Sequence, residues 1–136
     1  MRDTTHIWPI RVYYGDTDAG GVVYHANYLN FFDQARTEFM RQIGHEWHHD
    51  EPPANMFVVG QIQISYLRPA RLNQQLYVHS RVSELGRASM AFEQRLVDDE
   101  HHCYCHAQVQ LVCVAGHNLR PIRIPESIRK ELIGAR

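Results

Sequence analysis

The feature that most constrains the fold is that one long helix pattern accompanies five strand patterns. Over residues 26–43, apolar side chains recur at three- and four-residue steps, and Gly44 supplies a stop. A helix is about 10 Å wide, whereas five strands at about 4.8 Å spacing span about 24 Å. A flat sheet would leave much of its apolar face in water, so we predict an α+β fold whose sheet curls around the helix.

The five strand segments are recognised by alternation of apolar and polar residues and by the turns between them. Short connections predict that the last three are antiparallel neighbours, and a second helix is predicted over 126–133. An open sheet keeps unpaired edges, so we expect at least a homodimer. The predicted strands are 7–14, 57–67, 76–84, 89–98 and 104–115.

Length and charge exclude several classes of protein. With 136 residues, the chain suits one domain spanning 1–136. The 14 basic residues balance 15 acidic ones, so no net field favours nucleic acid or an anionic membrane. No signal peptide and no apolar run of about 18 residues is found, which predicts a cytoplasmic protein without integral membrane contact.

The three cysteines lie at even spacing in the last strand segment. Cys103, Cys105 and Cys113 should therefore share a core-facing side with small apolar residues, while His102 and His106 face away. Their odd number argues against a secreted disulfide framework and favours a reducing compartment. A metal site in this segment would require the opposite arrangement, so we predict none.

A glycine-flanked loop before the long helix carries Asp16 and Asp18. Unpaired N–H groups and the positive end of the helix dipole gather at a helix N-terminus, where they can polarise a carbonyl oxygen. A nearby carboxylate could attack that carbonyl or activate water, and the thiol of a thioester leaves readily as its anion. The alternative, that both aspartates only cap the turn or the helix, stays open from local spacing alone.

The residues around this loop carry a resemblance to a known family. Residues 12–28 and 35–38 closely resemble the signature of the 4-hydroxybenzoyl-CoA thioesterase family, and in particular its YbgC-type, Tol-Pal-associated acyl-CoA thioesterases. Further similarities occur at Tyr66 and at 69–70, 86–89 and 112–114. The resemblance implies the hotdog fold, one long helix wrapped by a five-stranded antiparallel sheet, assembled as homodimers or as homotetramers built from dimers.

The resemblance also implies roles for individual residues. It makes Asp18, the second aspartate of the pair, the catalytic acid group, acting as nucleophile or general base. It assigns polarisation of the thioester carbonyl to the backbone N–H of His25, and substrate binding to Tyr24 and Arg87, although Arg87 is as readily a solvated turn arginine. Ala26 stands where relatives active on aromatic substrates have proline, which argues against aromatic acyl groups.

Two other motifs are typical of zinc and calcium sites, but their surroundings do not fit those sites. His45-Glu46-Trp47-His48-His49 satisfies H-E-x-x-H, but it follows Gly44 and runs into Pro52-Pro53, so a polar loop is favoured over a zinc protease. The Asp16-x-Asp18 pair begins like a calcium loop, yet the later ligand positions hold Gly20 and Asn27. No G-x-S-x-G elbow, P-loop or dinucleotide fingerprint occurs.

The sequence therefore predicts hydrolysis of acyl-CoA thioesters, or of acyl-carrier-protein thioesters, without metal or other cofactor. Asp18 and His25 form the predicted catalytic pair, at a site near a dimer interface. The alternative is a catalytically weak acyl-CoA-binding or scaffold protein of the same fold, serving an envelope or lipid-synthesis complex. A dehydratase of this fold is the third candidate.

Overall fold

The polypeptide forms five strands and two helices, in the order expected from the sequence. The structure is a computed structural model that describes residues 5–45 and 54–134. A short 3₁₀ turn, Tyr14–Asp16, follows the first strand. The elements are β1 (His6–Arg11), α1 (Asn27–Gln42), β2 (Asn55–Tyr66), β3 (Gln75–Leu85), β4 (Ser89–Val97), β5 (Cys103–Ala115) and α2 (Glu126–Gly134).

The strands form one antiparallel sheet in the order β1-β3-β4-β5-β2. The prediction that the last three strands are antiparallel neighbours is confirmed. β2 pairs with β5 along its whole length, apart from a register shift between Val59 and Gln61. β1 and β2 are the two edges of the sheet, and β2 carries no charged residue among its 12 positions.

Helix α1 contacts both edges of this sheet as well as its centre. The Phe39 ring lies 5.8 Å from His6 on β1 and 5.0 Å from Phe92 on β4, both as edge-on contacts. At the other edge, the rings of Tyr28 and Tyr66 are 5.5 Å apart. Tyr28 and Phe39 are 11 positions apart, about 16 Å along the helix axis, so α1 crosses the sheet from the β2 edge toward the β1 edge. The curling of the sheet around α1 stays a prediction.

The inner face of β5 is lined by small apolar residues, including cysteines. Cys105 and Cys113 are fully buried, Cys103 is partly buried, and all three are free. Burial raises the pKa of the Cys105 thiol to about 12, so it packs as a neutral side chain. His102 is exposed and His106 is partly buried, as predicted, but the alternation breaks at Tyr104, which is buried between Cys103 and Cys105 where the register with β4 shifts.

A buried polar network joins α1 to the middle of the sheet. The Arg36 guanidinium donates to Gln94 Oε1 at 2.8 Å, and the Gln94 amide donates to the Phe32 carbonyl and to Ser80 Oγ, each at 2.9 Å. Burial lowers the pKa of Arg36, and the Asp33 carboxylate, 3.3 Å away, opposes that shift. Gln94 therefore satisfies polar groups on both layers of the core.

The first strand is shorter than the sequence pattern predicted. β1 ends at Arg11, not at Tyr14, because the chain turns into the 3₁₀ segment at Tyr14. The alternation persists to Val12, which is fully buried, but its N–H and C=O bond to Gln74 and Asn73 beyond the ladder. Tyr13 and Tyr14 are exposed.

Part of the sequence-based interpretation falls outside the described residues. Of the H-E-x-x-H motif only His45 is described, so neither the motif nor the predicted loop at Glu51-Pro52-Pro53 receives a structural account. Within 5–45 and 54–134, no helix has the length and apolar character needed to cross a membrane.

Candidate active site

The loop before α1 is organised by Asp16. Its Oδ2 accepts the Tyr13 N–H at 2.8 Å, which caps the 3₁₀ turn, and its Oδ1 accepts the Asn27 side-chain amide at 2.9 Å. The Asp16 carbonyl also accepts the Tyr24 N–H at 3.0 Å. Asp16 therefore fixes the loop to the start of α1, which is the capping role that the sequence left open for either aspartate.

Asp18 begins a tight turn of the same loop, residues 18–22. Its N–H donates to the Val22 carbonyl at 2.8 Å, and its carbonyl accepts the Gly21 N–H at 3.1 Å. One carboxylate oxygen, Oδ1, accepts the Gly20 N–H at 2.8 Å. The other, Oδ2, has no hydrogen-bond partner among the described residues, and the side chain is exposed. Asp18 thus presents one uncommitted carboxylate oxygen to an incoming group.

Backbone hydrogen bonds attach this turn to the segment between β2 and β3. Val23 N–H donates to the Ala70 carbonyl at 2.8 Å, and Val22 forms an isolated antiparallel bridge with Arg71. The Ala70 N–H in turn donates to the hydroxyl of Tyr28, the second residue of α1. Burial raises the pKa of Tyr28, and the nearby Asp18 charge contributes to the same shift. The loop that carries Asp18 is therefore joined, through Val23 and Ala70, to Tyr28 in the first turn of α1.

Tyr24 and His25 stand at the entrance to α1. The Tyr24 carbonyl accepts the Asn27 N–H at 2.7 Å, whereas the His25 N–H has no protein acceptor in the described part of the chain. Both side chains are exposed, and their rings lie 4.5 Å apart. Ala26, the N-cap, provides no side-chain hydrogen bond to the first turn. An unpaired backbone donor is therefore available beside the positive end of the helix dipole.

Tyr66 completes this cluster and was not identified as a functional residue from the sequence. Its hydroxyl donates to the His25 carbonyl at 2.9 Å, a contact between residues 41 positions apart. Local sequence patterns give no sign of such a long-range bond. The only available signal was the position of Tyr66 among the residues that carry the family resemblance.

Arg87 does not join the cluster within one chain. It lies in the turn after β3, whereas the Asp18 loop packs near Arg71 and Gln74, before that strand begins. Since β3 has 11 residues at about 3.3 Å each, the two sites are about 30 Å apart. The Arg87 side chain is exposed and makes no ion pair within residues 5–45 and 54–134. The structure thus places Asp18, Tyr24 and His25 on the loop that leads into α1, and separates Arg87 from them.

The turn that carries Arg87 is itself well ordered by contacts. Arg129 of α2 donates to the Gly86 carbonyl at 2.8 Å, and the Arg87 carbonyl accepts the Ile124 N–H at 3.0 Å. A Cβ at Gly86 would come within 3.0 Å of Ser89 Oγ, so a side chain there would crowd the turn. An open depression of about 230 Å³ lies beside it, lined in part by Gly86, Ser89 and Gln110.

This arrangement suits acyl chemistry. An exposed carboxylate can attack a carbonyl or activate water, and a backbone N–H at a helix N-terminus can stabilise the negative charge that develops on the carbonyl oxygen. Within the described ranges, no cluster of three or more His, Cys, Asp or Glu side chains is placed to hold a metal ion.

Comparison with known proteins identifies the family. The model of the thioesterase-like superfamily matches residues 12–132, and the chain therefore belongs to that superfamily. The resemblance to YbgC-type proteins is also confirmed. The chain is 40% identical to the acyl-CoA thioester hydrolase YbgC of Escherichia coli O6:H1, covering 96% of this chain and 98% of that protein. It is 40% identical to the acyl-CoA thioesterase YbgC of Haemophilus influenzae, covering 95% of each.

Solved structures agree with this assignment. A probable thioesterase from Bartonella henselae is 34% identical and superimposes with a TM-score of 0.77 over 89% of this chain and 98% of that one. Together with the antiparallel sheet and α1, this supports the hotdog fold expected from the sequence.

Proposed function

We propose that the protein hydrolyses acyl-CoA thioesters to a free acid and a thiol, with Asp18 as the catalytic carboxylate. The observation that carries this proposal is that Asp18 keeps one carboxylate oxygen uncommitted in the loop that leads into α1, where the His25 N–H has no protein acceptor in the described part of the chain. The thioester carbonyl oxygen accepts the His25 N–H, and Asp18 attacks the carbonyl carbon or removes a proton from attacking water. The C–S bond then breaks and the thiolate leaves. With water as the nucleophile this gives the free acid directly, whereas attack by Asp18 gives a mixed anhydride that water then hydrolyses, which releases the acid and restores the carboxylate.

The relatives support the choice of substrate. The E. coli and H. influenzae proteins are named as acting on acyl-CoA, and each matches this chain over nearly its full length. Acyl-carrier-protein thioesters present the same reacting group and form the alternative substrate class. Tyr24, exposed next to His25, is proposed to contact the acyl-thioester portion of the substrate.

Three free cysteines fit a reducing compartment, and we propose the cytoplasm as the location of the protein.

The proposed active unit is a homodimer joined edge to edge through β2. In one chain Asp18, Tyr24 and His25 are exposed, and Arg87 is about 30 Å away. Two-fold antiparallel pairing of β2 reverses the second sheet, which brings its Arg87 turn toward the Asp18 end of the first. Arg87 can then meet the polar end of a substrate whose thioester lies on the other subunit. A homotetramer would be built from two such dimers.

The test is replacement of the carboxylate. Asp18→Asn keeps the size of the side chain but removes the charge, so release of free thiol from acyl-CoA should be lost while the oligomer stays folded. Asp99→Asn is the matched control, because Asp99 is an exposed turn aspartate on the β4–β5 connection. Screening short-chain, long-chain and aromatic acyl-CoAs identifies the substrate class. Equal turnover by Asp18→Asn and the parent would overturn the assignment, and binding without turnover by the parent would favour the scaffold alternative.

A further inference from the structure

We infer that Tyr66 is a positioning residue, whose hydroxyl fixes the His25 carbonyl and thereby aims the Ala26 N–H, a second donor to the thioester carbonyl beside the His25 N–H. The inference rests on the proposed function and deepens it, because it assigns the geometry of the carbonyl-binding donors to a side chain on another element. Tyr66 touches neither Asp18 nor the reacting atoms in this proposal. It acts through the backbone at the entrance to α1.

The Tyr66 side chain is anchored on both sides. It is the last residue of β2, where its backbone pairs with Cys105 of β5. Its ring makes an edge-on contact with the buried Tyr28 ring at 5.5 Å, and its hydroxyl donates to the His25 carbonyl at 2.9 Å. The hydrogen bond therefore connects the entrance of α1 to the edge of the sheet rather than to a flexible loop.

Two consecutive peptide groups are held at this entrance. In a planar trans peptide the C=O and N–H bonds point in opposite directions. The Tyr24 carbonyl is held by the Asn27 N–H at 2.7 Å, so the His25 N–H of that peptide points away from Asn27. The His25 carbonyl is held by Tyr66, so the Ala26 N–H of the next peptide points away from Tyr66.

The hydrogen bonds of α1 do not by themselves hold the His25 carbonyl in place. Two N–H groups of α1 could close a turn on the His25 carbonyl. That of Tyr28 makes no such bond among the described residues, and that of Leu29 donates to the Ala26 carbonyl at 3.2 Å. Tyr66 thus provides the restraint on the His25 carbonyl from outside the helix. Its donation also polarises the peptide between His25 and Ala26, which strengthens the Ala26 N–H as a donor.

The phenol remains a donor throughout the useful assay range. Burial raises the pKa of Tyr66, and Cys105 contributes to the same shift, so the hydroxyl stays protonated at neutral pH. Loss of that hydroxyl would let the turn rotate while leaving the ring contact with Tyr28 in place. Small displacements of groups that bind a reacting carbonyl lower the rate strongly.

The kinetic test compares Tyr66→Phe with Tyr77→Phe. Both changes remove one hydroxyl and keep the ring, but Tyr77 lies on β3 and its hydroxyl makes no hydrogen bond in the described part of the chain. We expect Tyr66→Phe to lower kcat about tenfold, with KM for acyl-CoA changed less than about twofold and Tm close to the parent. Tyr77→Phe should match the parent in kcat, KM and Tm.

A spectroscopic test measures polarisation of the carbonyl in a variant that does not turn the substrate over. In the Asp18→Asn background, a bound acyl-CoA with a ¹³C-labelled thioester carbonyl should show a lower carbonyl stretching frequency than the free compound. Adding Tyr66→Phe should reverse part of that shift, because the donors are no longer aimed at the carbonyl oxygen, whereas adding Tyr77→Phe should leave it unchanged. Both double variants should bind the compound as tightly as Asp18→Asn.

The outcomes separate this inference from the proposed function. Unchanged kcat and an unchanged carbonyl frequency in Tyr66→Phe would overturn it, and so would unfolding or a large Tm decrease, since the bond would then serve the fold. A parent that fails to hydrolyse acyl-CoA would refute the proposed function. In that case the carbonyl frequency still decides whether Tyr66 aims the donors.

Discussion

Gly20 controls the position of the Asp18 carboxylate through direct contact. Its N–H donates to Asp18 Oδ1 at 2.8 Å, and a Cβ at Gly20 would lie 3.2 Å from that same oxygen. The backbone of Gly20 is outside the left-handed region, so alanine should be accommodated without backbone strain. We predict that Gly20→Ala displaces the carboxylate by a few tenths of an ångström and lowers kcat about tenfold in a thiol-release assay.

Gly15→Ala is the control for that variant. Gly15 belongs to the same loop, and a Cβ there would meet nothing within 4 Å. Both variants should unfold at nearly the temperature of the parent. Full activity in Gly20→Ala would show that turnover tolerates movement of Asp18 on this scale, contrary to the geometry proposed for catalysis.

Local spacing located the loop but did not distinguish its two aspartates, and the assignment of catalysis to Asp18 came only from the family resemblance. Both aspartates cap the turn, Asp16 through Tyr13 and Asn27 and Asp18 Oδ1 through the Gly20 N–H, and they differ in that Asp18 Oδ2 has no partner among the described residues. The Tyr66 contact was beyond local reasoning, because it depends on where the end of β2 falls relative to α1. The catalytic role of Asp18 and the binding roles of Tyr24 and Arg87 stay predictions.

Between elements, the packing of α1 on the sheet depends on Gln94. Its side chain accepts from the buried Arg36 and donates to the Phe32 carbonyl and Ser80. Gln94→Ala should destabilise the fold by about 2–3 kcal/mol, because it leaves a cavity and a charged donor without its partner. Urea unfolding at a fixed protein concentration measures the change.

Gln108→Ala is the matched control on the neighbouring strand. Gln108 is exposed on β5 and makes no side-chain hydrogen bond in the described part of the chain. Gln108→Ala should change the free energy of unfolding by less than about 0.5 kcal/mol. Equal effects of the two substitutions would show that the Arg36 network contributes nothing to the packing of α1.

The β4–β5 turn depends on an ionised carboxylate. Asp98 accepts hydrogen bonds from the backbone of Glu100 and His102, from the His102 ring and from the Tyr104 hydroxyl. Although desolvation acts in the opposite direction, these bonds lower the pKa of Asp98 from 3.8 to about 2. Folding therefore favours the ionised form, whose contribution is complete above about pH 4 and is lost as the pH falls through about 2.

Asp98→Asn should accordingly have a lower Tm than the parent at neutral pH, with a difference that shrinks between about pH 4 and pH 2. Thermal unfolding followed across that range measures it. Asp99→Asn, in the same turn, should show no comparable pH-dependent difference. A gap between Asp98→Asn and the parent that stays constant down to pH 2 would contradict the assigned role of ionisation.

Most element boundaries could be predicted because the relevant signals are local. Gly44 comes two residues after the end of α1, and the alternating segments gave β2 to β5 within two residues. The end of β1 was misplaced because alternation continues through Val12 after the ladder has ended. The place of β1 beside β3 could not be read from the sequence, since pairing distant strands depends on the whole sheet.

At the scale of the whole molecule, the β2 edge is open to pairing apart from the register shift between Val59 and Gln61. Edge strands usually carry charges or proline that block pairing with another chain, whereas β2 has neither. Val59 is 48% exposed near the middle of the strand. Pairing this edge with a second copy would satisfy its backbone groups, and it is also the arrangement that brings Arg87 to the Asp18 end of the other sheet.

Val59→Lys tests both the pairing of β2 with a second copy and the contribution of Arg87 from that copy. In an antiparallel two-fold pair, residues near the strand centre approach their own copies, so the substitution places two like charges near the axis. We predict a shift from dimer or larger to monomer in light scattering, with turnover lost although Asp18 and His25 are intact. Ile133→Lys, which also charges an exposed apolar residue but lies on α2, should keep both assembly and activity. A fully active Val59→Lys monomer would show that one chain contains the complete site, which would exclude a contribution from Arg87 of a second subunit.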